Sequence, residues 1–147
     1  MTSAEKKELA QNDFDLWYTS AKSFLKTARF SFIENDLKIA AFLLHQSAER
    51  TFNAVILVFR GYKPKTHNLE KLFRYAKHFG KELVKIFPRN TDEEKHLFDL
   101  LKKGYVEARY DKKYLITAAE VRTLIERIEK LQEITEKICL KKISSFT

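Results

Sequence analysis

Apolar side chains recur every three or four residues along most of the chain, a spacing that places them on one face of an α-helix. The first such segment runs from about Ala4 or Asp13 to Ile33. Its apolar stripe consists of Phe14, Trp17, Ala21, Phe24, Leu25 and Ala28. The second segment lies between Asp36 and Gly61 and is apolar on more than one face, so we predict a central helix or one that faces a partner.

Two residues of the second segment, Phe42 and Ile56, lie off its main apolar stripe. Apolar side chains in such positions need a further surface to pack against. We therefore interpret them as a surface through which two copies of the chain form a homodimer.

The rest of the chain predicts shorter helices separated by turns. Residues 67–78 have one helical pattern, and residues 82–87 have a short apolar one. Thr91 and Thr117 each stand three residues before a glutamate, which is the pattern of a capping box, so we predict that a helix begins at each. The helix that begins at Thr91 extends to Ala108 in this interpretation.

Short connections between these helices make sequential helices antiparallel. The sequence therefore predicts an all-α fold, an up-and-down antiparallel bundle of four to five helices. We expect one domain over residues 1–147, in which residues 1–12 form a flexible or linker-like N-terminus.

Composition agrees with a helical fold. With 3 glycines and 2 prolines, the chain has too few turn-forming residues for an all-β protein. The longest apolar runs, residues 39–44 and 54–59, are far shorter than the roughly 20 residues of a membrane-spanning helix, and the N-terminus lacks the apolar stretch of a secretory signal. We expect a cytoplasmic protein without membrane contact. The single cysteine, Cys139, allows no internal disulfide, and we expect neither a metal nor a cofactor.

The chain is basic, with 28 basic and 20 acidic residues and a formal net charge of +8. Such a charge attracts nucleic acid or an acidic partner. It is also consistent with a solvated surface that binds nothing, so charge alone does not choose a function.

Three separated motifs carry a resemblance. They are AAFLLHQSAER at residues 40–50, GYKPKTHNL at residues 61–69 and YVEARY at residues 105–110. Together they resemble the HEPN (higher eukaryotes and prokaryotes nucleotide-binding) family over roughly residues 13–139, in particular the branch paired with minimal nucleotidyltransferases. The resemblance implies a helical bundle that usually dimerises and occurs in toxin–antitoxin pairs, as a partner of nucleotidyltransferases and in RNA-cutting defence proteins.

Many members of that family are metal-independent ribonucleases with an arginine followed, after four to six residues, by a histidine. The resemblance places the family arginine at Arg109, but the residues at the histidine positions are Tyr114, Leu115 and Ile116. Two other pairs have the spacing, Arg60 with His67 and Arg89 with His96, as chance allows for so loose a motif. We therefore expect no catalytic site of the family type.

Arg109 is nevertheless the first candidate for binding. Its guanidinium can form paired hydrogen bonds to a phosphate, and Tyr110 or Tyr114 can stack on a base. The alternative is a buried salt bridge between Arg109 and Glu49.

His45 and Glu49 are four residues apart and therefore share a helix face. They are candidates for an acid–base pair, for part of a metal site or for a polar patch within the bundle. Lys63, Lys65 and His67 lie in the turn before the third helix, where free N–H groups add positive potential for a phosphate. They are alternatively solvated loop charges.

The leading hypothesis is a noncatalytic, dimeric HEPN-like module that binds a nucleotide or RNA and acts with a nucleotidyltransferase. One alternative is a ribonuclease centred on Arg109 with Tyr114 or His45 as an unusual partner. The other is a helical interaction domain in which Arg109 is structural.

Overall fold

The structure, a computed structural model, describes all residues from Met1 to Thr147. Its six α-helices are α1 (Ser3–Ile33), α2 (Leu37–Arg60), α3 (Leu69–Ala76), α4 (Asp92–Lys103), α5 (Glu107–Tyr110) and α6 (Ala118–Ser144). Two 3₁₀ segments, Lys77–Phe79 and Lys81–Lys85, lie between α3 and α4, and there is no strand. None of the helices combines the length and the apolar composition that crossing a bilayer requires.

The central helix of the bundle is α2. It packs against each of the other five helices, while α1 and α6 also pack against each other. One cluster of 36 buried apolar residues includes side chains from every helix. The predicted all-α bundle is confirmed, although it contains six helices rather than four to five.

The central position of α2 explains why one predicted surface is wrong. Ile56 is only 2% exposed and belongs to the core. Because α2 is surrounded by neighbours, Ile56 is buried although it lies off the main stripe. Ile56 therefore cannot form a dimer surface, whereas Phe42 stays half-buried at the edge of the bundle.

Several helix ends follow from local chemistry. Thr91 and Thr117 both form the predicted capping boxes, and Gly61 ends α2 with a left-handed φ of 80°. A third capping box, which the sequence analysis missed, begins α1: the Thr2 side chain accepts from the backbone N–H of Glu5. Residues 3–12 are therefore the first turns of α1, close to the earlier of its two predicted starts, rather than the predicted flexible or linker-like N-terminus.

Other boundaries differ from the prediction. Residues 81–85 form a 3₁₀ segment rather than an α-helix, and the helix predicted from Thr91 to Ala108 is divided into α4 and α5. The division falls at Gly104, where a Cβ would lie only 2.7 Å from the carbonyl oxygen of Ala41. Glycine lets the chain approach the backbone of α2 at this point.

Polar side chains inside the bundle join the three long helices. The Ser47 hydroxyl donates to the carbonyl of Ala21 at 2.7 Å, and the Gln132 amide donates to the Ser47 hydroxyl at 2.9 Å. The Tyr18 hydroxyl donates to the backbone oxygen of Gln132 at 2.8 Å. These buried groups satisfy one another, as buried polar groups must.

Candidate functional site

Three parts of the chain meet around the ring of Tyr105. They are α2, the turn at residues 61–68 and the segment between α4 and α5. Tyr105 follows Gly104 directly, so the close approach of Gly104 to α2 places the tyrosine ring beside His45. The ring centroids of Tyr105 and His45 are 5.2 Å apart, and those of Tyr105 and His67 are 4.6 Å apart.

His67 is paired with a buried carboxylate. Its Nδ1 lies 2.8 Å from Glu49 Oε1, and its ring is stacked on Tyr105 with an interplanar angle of 15°. The Glu49 side chain is 7% exposed, whereas that of His67 is 58% exposed. Because a carboxylate accepts, the Nδ1–H donates to Glu49, and Nε2 is left without a protein partner. A histidine oriented in this way presents a defined nitrogen to solvent.

His45 has a different environment from His67. It is fully buried, and its Nε2–H donates to the backbone oxygen of His67 at 3.2 Å. Burial lowers the pKa of His45, although the nearby Glu49 carboxylate opposes the shift. A buried imidazole that holds the 61–68 turn against α2 is a structural group, and its other nitrogen, Nδ1, lies 3.3 Å from Oε1 of Gln46.

Arg109 lies on the surface at α5. Its Nε and Nη2 donate to the backbone oxygen of Tyr105 at 3.0 and 2.6 Å, and its guanidinium lies 4.3 Å from the ring centroid of Phe42. It forms no ion pair with any acidic residue. The alternative salt bridge to Glu49 is therefore wrong, because that carboxylate pairs with His67.

A protein-family model of the HEPN domain matches residues 14–138. The chain belongs to the HEPN family. The match begins at Phe14 in α1, ends at Ile138 in α6 and includes every residue of the cluster around Tyr105. No curated protein matches the sequence significantly.

Not every candidate residue of this HEPN chain lies at the surface. Tyr114 is 5% exposed, and its hydroxyl donates to the carbonyl of Leu100 at 2.7 Å. Burial also raises the pKa of its phenol, which leaves it without a role as a base. The prediction that Tyr114 stacks on a nucleobase is wrong, because the ring is inside the core. Tyr110, by contrast, is 74% exposed and lies 5.0 Å from the Arg109 guanidinium.

The turn before α3 also differs from the prediction. The helix cap is Asn68, whose side chain already accepts from the first N–H groups of α3. Those groups are not available to a phosphate. The ammonium of Lys63 lies 5.2 Å from the ring of Trp17, while Lys65 is exposed. Of the three predicted turn residues, only His67 joins the cluster around Tyr105.

The two arginine–histidine pairs with the family spacing do not form sites. Arg60 lies over Phe79, and His67 contacts Tyr105. Arg89 pairs with Glu70, and His96 pairs with Glu120. No group of three or more His, Cys, Asp or Glu side chains has an arrangement suited to a metal ion.

The roles of two residues in the candidate site were not predicted from the sequence. Tyr105 was noted only within the YVEARY motif, but His67 packs on its ring and Arg109 donates hydrogen bonds to its backbone oxygen. Phe42 was assigned to a dimer surface, but it lies beneath the Arg109 guanidinium. Since Tyr105 precedes Arg109 by four residues, their proximity on one helical turn was a usable signal.

Proposed function

We propose that the protein is a noncatalytic, dimeric HEPN module that binds a phosphate of a nucleotide or RNA through Arg109. It acts in the cytoplasm with a nucleotidyltransferase, in a toxin–antitoxin or defence context. The observation that supports it best is the state of Arg109, an exposed guanidinium held in place without an acidic partner.

The geometry at Arg109 suits an anion. A guanidinium has five N–H donors, and those that do not reach the Tyr105 oxygen remain available. The Phe42 ring on one face and the bond to Tyr105 limit the rotamers of the side chain. A fixed cation loses less conformational entropy on binding, which favours charge-assisted hydrogen bonds to phosphate.

Two neighbours can add to that contact. His67 is exposed, is stacked on the ring of the same tyrosine and has an Nε2 without a protein partner. Tyr110 is exposed beside the guanidinium and offers a ring face to a base. In this proposal Arg109 contacts phosphate, and His67, in its imidazolium form with Nδ1–H on Glu49, donates a further hydrogen bond from Nε2.

Exposed apolar side chains next to Arg109 support the homodimer. Ile39 and Leu115 are 52% and 74% exposed, and both line an open cleft of about 600 Å³ that Arg109 also lines. Covering such side chains is a common source of association energy. The nucleotidyltransferase partner rests on the sequence resemblance alone. Sedimentation at micromolar concentration tests the dimer, and a purely monomeric protein would remove it.

Binding is tested with fluorescein-labelled single-stranded RNA, followed by anisotropy, and by thermal shift with ATP, GTP and AMP at several salt concentrations. The first variant is Arg109→Ala. A charge-assisted contact of about 1.5–3 kcal/mol corresponds to a loss of affinity of about 10-fold to 100-fold. A bound nucleotide also raises the melting temperature of the wild type by mass action.

The matched control is Arg122→Ala. Arg122 is likewise exposed, stacked on a phenylalanine (Phe32, 5.3 Å) and free of ion pairs, but it lies on α6. We expect the RNA affinity of this variant to stay within about threefold of the wild type, because removing one positive charge away from the site weakens only the general electrostatic attraction. If both variants lose affinity equally, Arg109 is not the contact. If the wild type binds neither RNA nor nucleotide, the remaining alternative is a helical interaction domain.

A ribonuclease is the second candidate function, and one observation favours it. Although the family histidine is absent after Arg109, His67 and Arg109 both contact Tyr105, and Glu49 orients His67 as carboxylates orient catalytic imidazoles. Incubation with end-labelled RNA tests it. Cleavage that disappears in both His67→Ala and Arg109→Ala would establish this function in place of the noncatalytic one.

A further inference from the structure

A second cleft lies at the opposite end of α2 from Arg109, where α2, the 61–68 turn and α3 meet. Its volume is about 350 Å³, within the range of small-ligand sites. Its walls include Arg60, Tyr62, Pro64, Tyr75, His78 and Phe79. The cleft shares no residue with the cluster around Tyr105.

Two tyrosines present exposed rings at this cleft. Tyr62 is 59% exposed and Tyr75 is 49% exposed. Neither ring packs on another aromatic ring of the chain, although nine such ring pairs exist elsewhere. Exposed aromatic faces in a cleft are stacking surfaces for planar rings, and nucleobases are the planar rings that also carry phosphate.

The charge around the cleft is basic and uncompensated. Residues 60–81 contain seven of the 28 basic residues and one of the 20 acidic residues. None of those seven forms an ion pair, and the one acid, Glu70, is already paired with Arg89 and Lys102 from outside the segment. Arg60 lies within the cleft, over the ring of Phe79 at 5.4 Å. This part of the surface holds most of the excess positive charge of the protein.

The basic residues continue from the cleft along α3. Lys71 and Tyr75 are four residues apart on α3, so they lie on one helix face, and His78 follows in the 3₁₀ segment; all three are exposed. Arg74 is exposed next to them. A single RNA strand can stack one base on a tyrosine and place its next phosphates along this face. Those phosphates would then contact basic side chains at successive positions.

We propose that this cleft binds single-stranded RNA, with a base stacked on Tyr62 or Tyr75 and the adjacent phosphate on Arg60. It is a site separate from Arg109. An acidic protein would use the same lysines, but it would have no need of two unstacked tyrosine rings, so the rings decide in favour of nucleic acid.

The experiment compares two labelled ligands of about 12 nucleotides, within the length that one small domain covers. One is single-stranded oligouridine RNA, and the other is an abasic ribose–phosphate oligomer of equal length. We expect Tyr62→Leu and Tyr75→Leu to weaken RNA binding about fivefold or more and to leave binding of the abasic oligomer unchanged. Arg60→Gln should weaken both ligands.

Phe30→Leu is the matched ring control, because Phe30 is 61% exposed on α1, outside residues 60–81. Its affinity should stay within about twofold of the wild type. A wild type that binds the abasic oligomer as tightly as RNA, or tyrosine variants within that same range, would overturn the proposal. Displacement of RNA by polyglutamate as efficiently as by unlabelled RNA would replace it with an acidic protein partner.

A thermal-shift arm with AMP distinguishes a free nucleotide from a strand. If AMP raises the melting temperature and Tyr75→Leu abolishes that rise, the cleft binds mononucleotides, and the proposal of a bound RNA strand is overturned. The same variants also separate this proposal from the proposed function. If only Arg109→Ala weakens RNA binding, the cleft proposal is overturned and the proposed function stands. If only the cleft variants weaken RNA binding, the proposed function is overturned and the cleft proposal stands.

Discussion

Polar side chains have contrasting surroundings in two regions of the molecule, the interior formed by the three long helices and the chain between α2 and α6. In the interior formed by α1, α2 and α6, Ser47 and Gln132 bond to each other and to backbone oxygens. Between α2 and α6, Arg74 and Arg109 are exposed and have no acidic partner. The difference shows that these interior polar groups are used by the fold, while these two exposed guanidinium groups remain free for a ligand.

An aromatic cluster holds the two regions together. Phe52 of α2 contacts Phe73 and Phe87, and these two pack on Phe98. All four are buried. The segments that carry the exposed polar side chains of the second region thus pack on the same core as the long helices.

The largest expected effect comes from Phe87→Ala, which removes a ring that is 1% exposed from that cluster. The lost burial and the cavity should lower the free energy of unfolding by about 3–5 kcal/mol. Because the cluster joins both regions, circular dichroism and tryptophan fluorescence should report one coincident transition in urea. Two separate transitions would mean that the region between α2 and α6 unfolds on its own, and the comparison would become one of two folding units.

An intermediate effect is expected from Ser47→Ala in the interior of the long helices. The Gln132 amide then keeps only Thr51, at 3.4 Å, and the free energy of unfolding should fall by about 1–2 kcal/mol. Binding of RNA should not change, because Ser47 is buried away from both clefts. The control is Ser23→Ala, an exposed serine of α1, with an effect within about 0.5 kcal/mol. A marked loss of RNA affinity in the Ser47 variant would contradict the division of roles.

The parts of the fold that the sequence predicted are those set by neighbouring residues. The capping boxes at Thr91 and Thr117 involve side chains three residues apart, and the left-handed end of α2 needs only the glycine at Gly61. The apolar stripe of α1 likewise follows from local spacing. Such features do not depend on which helix packs against which.

Several of the errors involve contacts between distant residues. Ile56 is buried because α2 has neighbours around it, and Gly104 interrupts a helix because the carbonyl of Ala41 lies against it. Of the candidate site, Arg109 and His67 were identified from motifs, and both are exposed. Their shared contact with Tyr105, and the pairing of His67 with Glu49 across 18 positions, required the tertiary structure.

The smallest effect is a pH dependence from His45, which lies at the boundary of the two regions. Burial lowers the pKa of His45 in the folded protein, so the unfolded state binds a proton that the folded state does not. The contribution of His45 to stability is complete above its unfolded pKa of about 6.5 and is lost as pH falls through the lower folded value. Urea unfolding should show that the free energy of unfolding decreases as the pH is lowered from about 7.5 to about 5.5. The slope of this decrease against pH should be smaller in His45→Gln.

The charged and titratable neighbours of His45 are Glu49, which favours its protonation, and His67, which opposes it. Both remain in His45→Gln, so the difference in slope between the two proteins reports His45. His78→Gln is the control, because that ring is exposed and forms no ion pair, and its slope should equal that of the wild type. Equal slopes with and without His45 would mean that the imidazole takes up its proton in the folded state. His45 would then belong with the free polar groups of the second region, and the boundary between the two regions would move into α2.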